Sequence, residues 1–304
     1  MDYYNEYIKY KIKYLELQNN LEGGRIIRKK IKMVEYENKV AYEFNNIDKQ
    51  KLTEESEFPI ASISKIFIII SLLLLQERWE LNINNKIGKY LDYEEPYYKE
   101  INNLKIIDIM NHRSGLKKWY KKVKNFISKI KFNCATDVFE KYNKNSCIDE
   151  EIIGKFSYSN IGYIILGVLI EKITGAPYYE FIKDNILEPL KMNNTGIEDC
   201  NITLYNINRK KLNKNQILAR TCASSAGQYK SCLTDLIKFS QFPKLLKKHS
   251  LEQLKDMYIC KNKIIEISIH HNGGITGGKS EYKVVYDKHW KVKDIYIKLR
   301  TIAF

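Results

Sequence analysis

The stretch FPIASISKIFIIISLLLLQ, residues 58–76, contains the most apolar run in the chain and decides how the rest is read. From Ile66 to Leu75 only Ser71 interrupts it, about half the roughly 20 residues needed to cross a bilayer, so it reads as a buried core helix. At its mouth stand Ser62 and Lys65, three residues apart and so on one helix face, with the lysine amine within reach of the serine hydroxyl. A serine hydroxyl is a weak nucleophile, and lysine can serve as its base only where burial or nearby charge lowers its pKa. The apolar run supplies the burial, and the helix N-terminus favours a developing anion. The same residues also fit a bland reading, a chance pair in a lysine-rich chain with Ser62 as an ordinary helix cap.

Composition narrows the classes. With 304 residues, 44% of them hydrophobic, the chain can bury a substantial core. Its 51 basic against 36 acidic residues leave a net charge of +15, but only seven of the basic residues are arginine. Base and phosphate recognition favours arginine, so specific nucleic-acid binding is disfavoured and the charge serves solubility and the attraction of anions. Six cysteines without a CxxC pair and five histidines without HxxxH spacing argue against a zinc site, and no cofactor is expected. The opening residues lack the apolar core and cleavage site of a secretory signal, which sets a cytoplasmic expectation with reduced thiols.

Along the chain, residues 3–20 have helix-compatible spacing and Gly23-Gly24 stops them, giving an appended segment, 1–24. Residues 25–34 and 39–44 read as a hairpin, 81–192 as mostly helical, and 117–151 as a basic, poorly patterned surface excursion. The period returns to two at 264–269, 282–286 and 292–299, with a turn at 287–290. The expectation is an α+β domain over 25–304. An antiparallel sheet from both ends (25–60 and 225–304) is flanked by helices, with a mainly helical insertion (61–224) between.

Two further motifs follow in order. KFSYSNIGYIILGVLIEKITG (155–175) carries Tyr158-Ser159-Asn160, and IHHNGGITGG (269–278) carries His271-Asn272-Gly273. Together with SxxK they resemble the three motifs of the serine β-lactamase and penicillin-binding-protein superfamily, in its class C β-lactamase, D-alanyl-D-alanine carboxypeptidase and esterase branch. The segments at 77–93, 104–116, 186–196 and 224–242 are similar to the family's spacers, so the resemblance runs from about 40 to 300. It implies that Ser62 attacks a carbonyl and that Lys65 and Tyr158 share proton transfer. It also implies that Asn160 orients the lysine and the substrate amide, that His271 completes the catalytic set, and that Asn272, Gly273 and Gly277 line the substrate site. One oxyanion donor would be the Ser62 N–H and a second an N–H near Gly277 or Gly278. Histidine at 271, where a β-lactam-binding enzyme carries lysine, shifts the expectation toward peptidase or esterase action.

Each position has a bland counterpart: Tyr158 as a core aromatic, Asn160 as the cap of a helix starting at Ile161, His271 as an edge-strand residue facing water, and the glycines as a tight strand start. The family also places a C-terminal helix after the last strand, where this chain ends, and the 3–20 segment is a candidate to cover that face. The expected activity is hydrolysis of an amide or ester through an acyl-enzyme, on a β-lactam, a D-amino-acid peptide or a carboxylic ester, with a small-molecule or peptide partner. The alternatives are a catalytically weak or inactive scaffold or virion-associated protein, and a basic nucleic-acid binder. The opening YIKYKIKYLELQ (7–18) resembles leader segments on proteins of large DNA viruses, which would place the protein in a host cytoplasm or virion; a solvated amphipathic helix is the plainer reading.

Overall fold

In the computed structural model the described residues are 39–45, 52–91, 99, 101–117, 134–142, 148–205, 210–213, 219–262, 266–275 and 278–300. The expected segments 3–20 and 25–34 lie outside them. The apolar run becomes helix α1, Ser64–Glu77, in which every residue from Ser64 to Leu75 is buried. A helix apolar all round has no solvent face, so it can exist only in the middle of the molecule. It starts later than Ser62, because Ala61–Ile63 forms a separate 3-10 turn.

The strands are β1 (Lys39–Asn45), β2 (Phe58–Pro59), β3 (Ser114–Leu116), β4 (Ile148–Ile153), β5 (Lys230–Ser231), β6 (Cys260–Asn262), β7 (Glu266–Ile275), β8 (Gly278–Asp287) and β9 (Val292–Arg300). The main sheet has the order β1-β9-β8-β7-β6. From β9 to β6 it is antiparallel. Strand β1 joins β9 in parallel, a departure from the wholly antiparallel sheet expected. The β8–β9 turn closes where the sequence places it: Trp290 donates its N–H to the Asp287 carbonyl (3.0 Å), and the Asp287 carboxylate accepts from the His289 and Lys291 N–H groups.

The other helices are α2 (Ile106–Met110), α3 (Ala135–Tyr142), α4 (Asn160–Thr174), α5 (Tyr178–Ile182), α6 (Leu233–Phe239) and α7 (Lys248–Lys255). Residues 148–153 correct the helical and unpatterned readings of that region, since they form β4 and pair with β3. Isoleucines flanking an acidic run offer no apolar stripe at helical spacing, and β-branched residues accept a pleated partner. Helix α4 ends on Gly175 in the left-handed conformation (φ 70°). Its Glu171 carboxylate accepts the N–H groups of Ala135, Thr136 and Tyr178, tying α3 and α5 to it. Helices α1 and α4 are in contact and share one core with the inner face of the sheet. Among the described residues no single helix is long and apolar enough to cross a membrane.

Gly167 marks a close approach to α4. A Cβ there would stand 2.7 Å from Ser225 Cβ and 2.8 Å from Ala135 Cβ. Helix propensity alone would make Gly167→Ala stabilising by about 1 kcal/mol. Overpacking costs about 1–3 kcal/mol and wins, so this variant should melt below the wild type in a thermal denaturation followed by circular dichroism.

Candidate active site

The approach to α1 is fixed from two sides. Ile60 donates its N–H to the Tyr229 carbonyl (3.0 Å), and its own carbonyl accepts from Ser280 Oγ on β8 (2.9 Å). The next residue, Ala61, is left-handed (φ 47°), a conformation an alanine holds only when its surroundings enforce it. Ser64 Oγ donates to the Ala61 carbonyl (2.6 Å) and secures that turn. Ser62 therefore sits half-buried on a constrained turn at the mouth of α1. No backbone bond among the described residues uses its N–H, as expected in a helix's first turn.

Lys65 is fully buried. Its Nζ is hydrogen-bonded to Ser62 Oγ at 2.9 Å and donates to the Ala226 carbonyl. It has no acidic partner among the described residues; the rings of Tyr158 and Tyr163 lie 5.1 and 5.4 Å away. Contacts between a cation and a ring contribute about 0.5–2 kcal/mol, whereas burying an ion costs several kcal/mol. Burial accordingly pushes the amine well below its ordinary value of 10.5.

Tyr158 lies just before α4. Burial drives its phenol up to about 12 against a weaker opposing effect from its hydrogen bond to the Ser62 side chain. Ser62, Lys65 and Tyr158 thus meet around one hydroxyl. Ser159, not Asn160, caps α4: its Oγ accepts the Gly162 N–H (3.2 Å) and donates to the Lys117 carbonyl (2.9 Å). Asn160 is the first helical residue, half-buried, and makes no side-chain hydrogen bond to Lys65. The hydrogen bonds that Lys65 makes among the described residues go to Ser62 and the Ala226 carbonyl, and the lysine-orienting contact expected of Asn160 is not among them.

His271 is buried on β7, which overturns the water-facing alternative. Its Nδ1 donates to the Asn272 carbonyl (2.7 Å) and its Nε2 accepts from Tyr258 Oη (2.9 Å). Burial, reinforced by Lys65, lowers its pKa to about 3. Asn272 is exposed. Gly273 lies against the nucleophile's turn, where a Cβ would collide with the Ile60 carbonyl and Ser280 Oγ. Gly277 lies outside the described residues, and Gly278 packs on Pro59. Strand parity points elsewhere for an oxyanion donor. His270 donates its N–H to the Ile259 carbonyl (3.0 Å), away from β8. The period of two turns the N–H groups of Asn272 and Gly274 to that same edge, which β6 does not pair beyond Ile269.

Two residues here were not singled out in the sequence. His112, in the turn after α2, is buried beside Tyr158 with its pKa lowered to about 3, by burial first and then by Lys65 and His271. Its only signal was a histidine inside the spacer 104–116. Tyr258 was one of 23 tyrosines, with nothing local to mark it. Among the described residues no cluster of His, Cys, Asp or Glu could hold a metal ion.

His112 and His271 stay neutral in the fold at a pH where the unfolded chain, with an ordinary value of 6.5, becomes charged. Their contribution is complete above about pH 7 and is lost as pH falls from 6.5 toward 3, by about 1.4 kcal/mol per pH unit for each histidine well inside that window. Urea midpoints should fall across that range, and His271→Gln should make the fall shallower.

A family model described as Beta-lactamase matches residues 33–258. A penicillin-binding protein of Bacillus subtilis is 33% identical over 160 residues, covering 49% of this chain and 32% of that protein. Teichoic acid D-alanine hydrolase of Staphylococcus aureus is 30% identical over 187 residues, covering 60% of this chain and 43% of that protein. The chain spans less than half the length of these curated relatives. Among solved structures, D-amino acid amidase from Ochrobactrum anthropi superposes with a TM-score of 0.66 at 22% identity, over 84% of this chain and 82% of that one, which shows the shared fold.

Proposed function

The chain belongs to the β-lactamase family, and from that premise we propose that it hydrolyses an amide or ester through an acyl-enzyme on Ser62. The observation that carries this is the buried lysine amine 2.9 Å from the serine hydroxyl, without an acidic partner among the described residues. A depressed amine presents a lone pair, so Lys65 takes the Ser62 proton as Oγ attacks the carbonyl. The developing oxyanion falls to the free N–H groups of Ser62 and Gly274. Tyr158, held protonated, donates its phenolic proton to the leaving group and is reprotonated by the Lys65 ammonium. Water then attacks the ester by the same path reversed. Asn160, with its amide unengaged among the described residues, faces the substrate.

His271 speaks to the substrate class. Neutral, with both ring nitrogens engaged, it offers no cation to a carboxylate. We therefore favour an amide or ester with no free carboxylate beside the scissile bond over a penicillin. The D-amino acid amidase and teichoic acid D-alanine hydrolase among the similar proteins suggest D-amino acid amides and esters as first substrates.

Intact-mass spectrometry after incubation with a fluorophosphonate should show one adduct on the wild type and none on Ser62→Ala; no adduct on folded wild type would sink the proposal in favour of a non-catalytic scaffold. Lys65→Ala should lower the rate of adduct formation about a thousandfold. His271→Lys should raise penicillin acylation relative to the wild type, read as the rate of penicilloyl adduct formation.

A further inference from the structure

We infer that His112 is a positioning residue that clamps Tyr158 onto Ser62, an inference that rests on the proposed hydrolase reading and assigns a residue outside the three motifs. His112 holds the segment around Tyr158 at three points. Its carbonyl accepts the Ser157 N–H (2.7 Å), its Nδ1 accepts the Ser159 N–H (3.1 Å), and its ring lies against the Tyr158 ring, centroids 4.2 Å apart and planes 33° from parallel. One residue thus brackets the tyrosine on both sides and supports its face.

The arrangement has costs that stability alone does not explain. His112 is left-handed (φ 57°), which most L-residues avoid. Because Nδ1 accepts from an amide, the ring proton sits on Nε2. That nitrogen is buried and has no hydrogen-bond partner among the described residues; the rings of Tyr258 and Tyr163 pack around the imidazole, with ring centroids 4.6 and 5.1 Å from its own. A buried orphan donor is destabilising, and a phenylalanine would fill the space without one. Only the acceptor at Nδ1, directed at Ser159 beside the tyrosine, distinguishes histidine there. The clamp matters because the Tyr158 hydroxyl meets Ser62, and a small displacement at a reacting group costs much rate.

The variants separate the parts of the clamp. His112→Phe keeps a ring and loses the acceptor. His112→Asn loses the ring but keeps a short acceptor and tolerates the left-handed backbone, and His112→Ala loses both. Leaving-group dependence supplies a readout that a merely structural role would not move, since an amide needs a proton from Tyr158 while p-nitrophenolate leaves without one. D-alanine p-nitroanilide turnover should fall about 30-fold in kcat in the Phe and Ala variants with KM little changed, the rate of the p-nitrophenolate burst on acylation by p-nitrophenyl acetate should fall only about threefold, and Asn should recover part of the anilide loss. Equal losses on both substrates, tracking a lowered melting temperature, would overturn the clamp.

A second measurement stands apart from turnover. In full-length protein labelled with 3-fluorotyrosine, the Tyr158 ¹⁹F resonance is identified by its loss in Tyr158→Phe. It should be sharp in the wild type and broadened or split in the Phe and Ala variants, with Asn between. An unchanged resonance would overturn the inference even if the enzyme is active. Wild type that takes no fluorophosphonate and turns over neither substrate would sink the hydrolase reading instead, and the ¹⁹F spectra would still decide whether His112 holds Tyr158.

Discussion

The burial of one amine beside one hydroxyl governs the rest of the site. Lys65 lies on a helix that is buried from Ser64 to Leu75, where a charged ammonium would need a counter-ion that the described residues do not offer. Its surroundings supply instead a backbone carbonyl, a serine oxygen and two tyrosine faces, partners suited to a neutral base. The same burial acts on its neighbours. It holds His112 and His271 neutral, so the pocket gathers bases and phenols with no fixed charge to compete with an incoming carbonyl.

Around that amine the packing is aromatic to an unusual degree. Tyr158, Tyr163, Tyr258, His112 and His271 form a contiguous cluster. Flat rings with few rotatable bonds lose little entropy when ordered, and their polar tips find partners: Tyr163 on the Met110 carbonyl and Tyr258 on His271. Rigid walls of this kind hold the reacting hydroxyl without a metal-like anchor.

The local parts were legible in the sequence and the assembled parts were not. Ser62 and Lys65 are three residues apart across the 3-10 turn and the start of α1, so short spacing brings them together, and the period-two stretches mark β7 to β9. The parallel pairing of β1 with β9 and the β3–β4 ladder depend on partners far along the chain, which no local pattern encodes. Asn160 was assigned to Lys65 by resemblance, whereas the partner that the tertiary structure gives the amine beside Ser62 is the Ala226 carbonyl, 161 residues away. His112 and Tyr258 were invisible for a similar reason. Each gains its meaning only when α2, the turn before α4 and β7 converge, 47 residues separating His112 from Ser159.

The contact of Gly273 with the Ile60 carbonyl has a consequence for how the molecule fails. That seam joins the sheet to the nucleophile's turn through the close approach of the Gly273 backbone and one hydroxyl, Ser280 Oγ, on the same Ile60 carbonyl. A slight parting of the two would separate the nucleophile from the strand edge while the apolar interior around α1 stayed intact. Loss of the active geometry thus needs only that narrow seam to part, whereas unfolding needs the core to melt.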